Sequence, residues 1–210
     1  MPFDTAPGLS QLARSMKIHL LKPLAAFLFL AAARANPPSI RAKVDEPALQ
    51  ETMGGCSLKC AFGWGVEIQA ACGQKPAATK KLNDENAETA WIAADGTTGI
   101  GAKLKLVFPK KLASEIEGNT PLYGLNIING AWVTEQQWKA HARVKTARLY
   151  YRDKPFADVS FADSRRWQRV TFPDIFVHSG DSMTFEILGI YPGEKGAGVA
   201  ITEIVLEGAH

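Results

Sequence analysis

Short segments in which apolar and polar residues alternate dominate the chain after residue 63, and this pattern most limits the folds open to it. Side chains of a strand point alternately to its two faces, so such segments indicate strands with one buried face. Turn-forming groups such as Ser179-Gly180-Asp181 separate them, and the one helical candidate, 135–142, is short and polar. The pattern predicts an all-β antiparallel sandwich with strands over 66–70, 102–108, 122–128, 144–151, 155–161, 167–172, 183–191 and 200–206.

The first 35 residues have the order of an export signal. A basic stretch from Met16 to Lys22 precedes an uncharged run over 24–33, and Ala35 ends a small-residue cleavage point. As a helix, that run of about ten residues would span roughly half of a ~30 Å hydrocarbon layer. We therefore predict a signal peptide over 1–35, with Met16 as an alternative start. The mature protein is expected to be secreted, or held in the periplasm or cell envelope, without a membrane span.

The net charge of +3 comes from this leader. Residues 1–35 carry four basic residues and one acidic residue, so the remaining chain holds 20 of each sign. Non-specific affinity for nucleic acid depends on clustered Lys and Arg that displace counterions. A balanced mature chain therefore predicts no nucleic-acid partner.

Cys56, Cys60 and Cys72 are an odd set in an exported chain. They permit three pairings with one thiol left over, and no histidine lies close enough in sequence to complete a zinc site. We predict one disulfide, and both Cys56–Cys60 and Cys60–Cys72 stay open. Residues 36–53, which hold several prolines and no periodicity, are predicted to be a linker before a domain over 54–208.

Catalytic motifs are missing from the sequence. It holds no HExxH, GxSxG or phosphate-cradling glycine loop. Glu203 with Glu207, and Asp158 with Asp163, are spaced like unrelated surface acids rather than like a paired general acid and base. The chain is therefore predicted not to be an enzyme.

The segment from Lys81 to Trp91 is the richest in oxygen ligands. Asp84, Asn86 and Thr89, together with the carbonyl groups between them, offer hard donors of the kind that calcium prefers. The simpler interpretation is an acidic turn before a strand whose Trp91 enters the core. Both interpretations stay open on the spacing alone.

Several short motifs follow one another in a characteristic order. They are an acidic box ending in Thr-Ala-Trp at 84–91, a glycine-rich stretch at 96–101, Asn-Gly at 129–130, Arg-Val-Lys at 143–145, Gln-x-Val at 168–170, Tyr-Pro-Gly at 191–193 and Ile-Thr-Glu-Ile at 201–204. This order resembles the NADase-type glycan-binding domain, a branch of the galactose-binding-like (discoidin-like) superfamily, over roughly residues 56–208. The resemblance implies a jelly-roll β-sandwich that binds carbohydrate.

The resemblance also implies a structural calcium ion. Its ligands would be the carbonyl groups of Leu82 and Thr89, the side chains of Asp84 and Asn86, and the closing carboxylate of Glu203. The box departs from the family pattern at Glu85, where the family has glycine, and at Asn86, where it has aspartate. Because Asn86 carries no charge, a weaker site is expected.

Sugars present C–H faces to aromatic rings and hydroxyl groups to amides and guanidinium groups. Trp132 and Trp138 lie in the least regular polar segment, so they are the predicted platform, with Asn129, Gln137 and Arg143 as polar partners. By contrast, Trp91 and Trp167 are predicted core residues. Tyr150 and Tyr151 are adjacent in a strand, so one of them at most can face inward.

We therefore predict an exported, non-catalytic module that binds a glycan or cell-surface carbohydrate. The alternative is a structural or adhesive module that binds a protein partner at the cell envelope, and a broad exposed apolar patch would be its signature. A hydrolase on the same fold would need clustered titratable groups at one pocket.

Overall fold

The computed structural model describes residues 36–44, 66–70, 76–94, 97–114 and 117–208. The predicted leader, Cys56, Cys60 and Cys72 lie outside the described residues, so the leader and the disulfide stay predictions. Within the described ranges, no helix is long and apolar enough to cross a membrane.

Strands make up most of the described chain. Two short helices, Pro76–Thr79 and Glu135–Ala140, and a 3-10 turn at Lys80–Leu82 complete it. The strands are β1 (Ser39–Arg41), β2 (Lys43–Val44), β3 (Glu67–Ala70), β4 (Trp91–Ile92), β5 (Lys103–Val107), β6 (Pro121–Asn129), β7 (His141–Tyr151), β8 (Lys154–Ser160), β9 (Trp167–Phe176), β10 (Ser182–Tyr191) and β11 (Ala197–Gly208).

The strands form two layers. One has the order β3-β5-β10-β7-β8-β1 and the other β2-β9-β6-β11-β4, and the layers join where β11 pairs with β7. Pairing is antiparallel throughout except for β1 with β8 and β11 with β7. The predicted all-β antiparallel sandwich of the jelly-roll type is therefore confirmed.

Alternation along the strands builds the core. In β5, Leu104 and Leu106 point inward while their neighbours face solvent, as the period of two requires. Side chains from both layers form one continuous apolar cluster, which includes Trp91, Ile127 and Phe185. Each fully buried large side chain contributes about 2 kcal/mol, so the facing layers hold each other in place. The predicted core positions of Trp91 and Trp167 are both confirmed.

The prediction of a linker over 36–53 is wrong for residues 39–44. Residues 39–41 pair in parallel with β8, and residues 43–44 pair with β9 in the other layer. The Ala42 N–H donates to the Ser160 carbonyl group at 2.9 Å, and the Ala42 side chain is buried. Edge strands present unpaired N–H and C=O groups that a passing segment can satisfy. That backbone pairing, which composition does not report, makes this segment part of the sandwich.

Neither Tyr150 nor Tyr151 is fully buried, although the alternation allowed one of them to be. Both are half-buried, because their hydroxyl groups reach the carboxylates of Glu186 and Asp181. A register shift between Leu149 and Tyr150 accompanies this arrangement. Burial, followed by the hydrogen bond to Asp181, raises the pKa of Tyr151 well above its usual value.

The turn between β7 and β8 offers a test of backbone strain. Arg152 and Asp153 both have positive φ, at 48° and 61°, as do the two central residues of type I′ turns. Such turns favour glycine at the second central position, which Asp153 occupies here. Asp153→Gly is expected to raise the free energy of unfolding by about 0.5 kcal/mol, because it removes left-handed strain. The exposed Asp153–Lys105 pair, at 3.7 Å, contributes little. Urea unfolding measures the change in the free energy of unfolding. The control, Asp153→Ala, should lower that free energy. A glycine variant less stable than the wild-type chain would contradict the strain argument.

Candidate functional site

Three loops meet at one end of the sandwich. They are 130–140 between β6 and β7, 161–166 between β8 and β9, and 192–196 between β10 and β11. Because β6 pairs antiparallel with β9, and β7 pairs antiparallel with both β8 and β10, the ends of these loops lie side by side, and we call this end the rim. All five predicted ligand residues lie on the rim or directly beside it.

Arg143 ties the rim loops together. Arg143 is only 7% exposed, and its guanidinium group donates to both carboxylate oxygens of Asp163, at 3.0 and 2.7 Å. Its Nη1 donates to the carbonyl groups of His141 and Pro192, at 2.9 and 3.1 Å. A buried guanidinium is stable only when its donors are used, and here they are used within the protein. Arg143 therefore shapes the rim, and its hydrogen bonds are directed inward.

Asn129 and Trp138 support the same cluster. The Asn129 amide donates to the Val144 carbonyl group at 2.7 Å and accepts from the Val144 N–H at 2.8 Å. Trp138 Nε1 donates to the Asn129 carbonyl group at 2.9 Å, and the Arg143 guanidinium lies 4.5 Å from the Trp138 ring centroid. Gly130, at a φ of 97°, has no room for a Cβ, which would lie 2.5 Å from Trp138 Cδ1.

Trp132 is placed differently. It is half-buried beside exposed Val133, its carbonyl group accepts from Arg165 Nη2 at 2.6 Å, and the guanidinium lies 5.6 Å from its ring centroid. The structure therefore brings Trp132 together with Arg165, a residue that the sequence analysis missed. The basic Arg165-Arg166 pair in a loop was the signal for it. Gln137 lies away from this pair, exposed on the short rim helix. Its backbone N–H donates to the Thr134 hydroxyl group.

Glu135 and Asp158 are each paired with a cation. On the rim helix, Lys139 Nζ lies 2.6 Å from Glu135 Oε1. The hydrogen bond between them lowers the pKa of Glu135 and raises the pKa of Lys139. On β8, the hydrogen bond from Arg148 lowers the pKa of Asp158. The expectation that Glu203 is a surface acid is wrong, because it is 1% exposed, whereas Asp158 keeps a partly exposed side chain and is ion-paired with Arg148.

The acidic loop after the 3-10 turn converges on Glu203 of β11. The Asn86 N–H donates to both Asp84 Oδ1, at 3.0 Å, and Glu203 Oε1, at 3.2 Å. The Thr89 hydroxyl donates to Asp84 Oδ2 at 2.7 Å, and Asn86 Oδ1 accepts from the Glu88 N–H at 2.9 Å. Across the described residues, no three His, Cys, Asp or Glu side chains form a metal cluster. The oxygen donors here are therefore two carboxylates together with amide, hydroxyl and carbonyl groups.

Beside the rim lies a groove of about 460 Å³ that the sequence analysis did not find. The Tyr191 hydroxyl donates to the Phe161 carbonyl group at 3.0 Å, which fixes the ring, and Lys145 Nζ lies 5.7 Å from the ring centroid. The groove is lined by Arg41, Ala42, Val44, Lys145, Thr146, Ser160, Phe161, Ala162 and Tyr191.

At the opposite end, a serine, a histidine and a glutamate meet. Glu117 accepts from the Ser179 N–H and hydroxyl group, and it lies 3.2 Å from His178 Nδ1. The hydrogen bonds from Ser179 are the main reason that the pKa of Glu117 is lowered. A serine nucleophile needs a histidine base beside its hydroxyl group, whereas here the carboxylate takes that place. The grouping therefore does not have the arrangement of a hydrolytic triad.

The topology and the acidic loop closing on the last strand define a discoidin-like sandwich domain. The sequence model of the NAD glycohydrolase translocation F5/8 type C domain matches residues 67–207, and the chain belongs to this family. The resemblance drawn from the motifs is thereby confirmed. Among curated proteins, none matches the chain.

Solved structures share the fold. The CBM32-1 and CBM32-2 domains from Clostridium perfringens ZmpB match with a TM-score of 0.54 and 9% identity, over 82% of this chain and 42% of theirs. The same domains in complex with GalNAc give a TM-score of 0.56 and 10% identity, over 82% of this chain and 40% of theirs. This chain thus spans about two fifths of the length of those structures, and at this identity the likeness shows the fold alone.

The Arg143–Asp163 pair should carry much of the stability of the rim. Asp163→Asn leaves a buried guanidinium with a neutral partner, so we expect the free energy of unfolding to fall by about 2 kcal/mol. The loss is smaller than for a fully buried pair, because the Asp163 side chain is 36% exposed. Urea unfolding measures it, with Asp174→Asn on the exposed face of β9 as the matched control. Equal effects of the two substitutions would contradict the role given to Arg143.

Proposed function

We propose that the chain is an exported, non-catalytic carbohydrate-binding module that recognises a glycan on a cell surface or in the envelope. The observation that carries the proposal is Trp132 with Arg165 on the rim. A half-buried indole lies there beside a guanidinium group, on loops that Arg143 holds in place. An aromatic face for sugar C–H groups next to hydrogen-bond donors for hydroxyl groups is the chemistry that binds saccharides.

The comparisons support this proposal through the fold. The Clostridium perfringens domains with the same architecture include a complex with GalNAc, so a sandwich of this type can carry a sugar. Export is supported by the order of basic, apolar and small residues over 16–35. The Ser179 hydroxyl group donates to Glu117, where a hydrolytic triad would have a histidine, and this supports the non-catalytic part.

A glycan array tests the proposal with the full chain and two variants. We expect reproducible hits, and we expect Trp132→Ala to weaken binding to them about tenfold or more, because it removes the stacking face. Tyr123→Ala is the matched control, since Tyr123 is an aromatic residue exposed on β6, away from the rim. Thermal unfolding of each variant checks that the fold is retained.

The array also distinguishes the proposal from the alternative, a module that binds a protein partner. Absence of saccharide hits, together with a specific protein partner captured by the wild-type chain, would replace the proposal with a protein-binding module. The large apolar side chains that the structure exposes lie on different elements, among them Ile92 on β4, Ile100 before β5 and Phe176 on β9. Equal binding by the Trp132 and Tyr123 variants would move the sugar site away from Trp132.

We further propose that the acidic loop holds a structural calcium ion. The donor set fits, because the carboxylates of Asp84 and Glu203 converge on one backbone N–H and every candidate ligand is an oxygen. Asp84, Asn86 and Glu203 would supply side-chain oxygens, and Leu82 and Thr89 would supply carbonyl oxygens. Such an ion would fasten the loop to the last strand. Asn86, in place of the family's aspartate, is expected to reduce its affinity.

Thermal unfolding tests the calcium site. Calcium at about a hundred times its dissociation constant should stabilise the chain by about 2.7 kcal/mol, and a chelator should remove that gain. Asp84→Asn should abolish the calcium-dependent change, whereas Asp174→Asn, an exposed acid away from the loop, should keep it. A melt that neither calcium nor chelator alters would end this part of the proposal.

A further inference from the structure

We infer that the groove beside the rim binds the carboxylate-bearing unit of an acidic saccharide. The inference rests on the proposed carbohydrate binding and names the class of sugar that the chain prefers. It concerns residues that the rim site does not use. Three of the lining residues, Arg41, Ala42 and Val44, precede the segment that matches the family, so one wall of the groove comes from outside the matched domain.

The lining of the groove carries one sign of charge. It contains the cations Arg41 and Lys145 and no carboxylate. Within the described ranges, neither cation forms an ion pair with an acid, whereas other arginines of the sandwich each bind an aspartate through two hydrogen bonds. Those pairs are Arg143–Asp163, Arg148–Asp158 and Arg152–Asp181. Cations that lack a carboxylate partner and face a concave space favour an anionic ligand.

Other residues of the groove suit a sugar better than a bare anion. The Tyr191 ring is held by its hydrogen bond to Phe161, so its position is set before a ligand arrives. A pyranose ring could then lie along Tyr191 with its carboxylate toward Lys145, which already lies 5.7 Å from that ring. Thr146 and Ser160 add hydroxyl-bearing residues to the lining. The volume of about 460 Å³ is within the usual range for small-ligand sites.

The wall that carries Arg41 is fixed by backbone pairing. β1 runs beside β8 in one layer and β2 beside β9 in the other, so the segment 39–44 bridges the two layers. The buried Ala42 between them anchors the crossing. β1 with Arg41 and β7 with Lys145 both pair with β8, so both cations are presented from backbones that hydrogen bonds hold in place, and binding requires little ordering of the chain.

Calorimetric titration of the full chain tests the inference with two matched pairs of saccharides. These are sialyllactose with lactose, and trigalacturonate with its methyl ester, so each pair compares an acidic sugar with a neutral counterpart. We expect at least one acidic member to bind about tenfold more tightly than its neutral counterpart, with an affinity that falls as salt rises. Sodium sulfate is included as a bare anion.

Variants assign the preference to the groove. Arg41→Gln/Lys145→Gln should remove the acidic preference and leave binding of neutral sugars unchanged. Lys110→Gln/Lys154→Gln is the control, because it removes the same charge from exposed residues at the opposite end of the sandwich. Thermal unfolding confirms that both double variants fold.

Three results would overturn the inference. They are equal affinity within both saccharide pairs, an acidic preference that survives the Arg41→Gln/Lys145→Gln change, and sulfate binding as tight as that of the acidic sugars. Array hits that depend on Trp132 while the acidic preference is absent would defeat the inference and leave the proposed function standing. Loss of saccharide binding altogether, on the array and in the titrations, would defeat both.

Discussion

The buried guanidinium of Arg143 is the interaction on which the arrangement of the rim depends. It begins on β7, takes its carboxylate partner from the loop before β9, and reaches the backbone after β10. Connecting loops run over the protein surface, and here hydrogen bonds to a shared donor hold them in place. One side chain thereby converts three separate connections into a single surface, against which Trp138 stacks and beside which Trp132 stands.

Periodicity predicted the strands because it records which residues face the core, and that information is local. The eight predicted segments correspond to strands of the structure within a few residues, and Trp91 and Trp167 are buried as predicted. The closing of Glu203 on the Asp84 loop is long-range, and it came only from the resemblance. The pairing of residues 39–44 has no periodic signal, so neither that pairing nor the groove it forms could be predicted.

The predicted ligand residues show the same limit. Residue type and loop position identified Asn129, Trp138 and Arg143 as able to hydrogen-bond or stack, and the structure shows that they do so, with one another and with neighbouring backbone. Sequence reports what a side chain can bind, but not whether the protein itself supplies the partner. Arg165 was missed for the converse reason. The basic Arg165-Arg166 pair marked the loop, but nothing in the sequence placed Trp132 beside it.

The crossing of β1 and β2 between the layers has a consequence for assembly. This segment comes first among the described residues, yet its backbone partners near Asp158 and Gln168 are synthesised much later. Contacts so distant along the chain close slowly, after local hairpins have formed. The wall of the groove that carries Arg41 can therefore be completed only once β8 and β9 exist, so the groove forms after most of the sandwich has been synthesised.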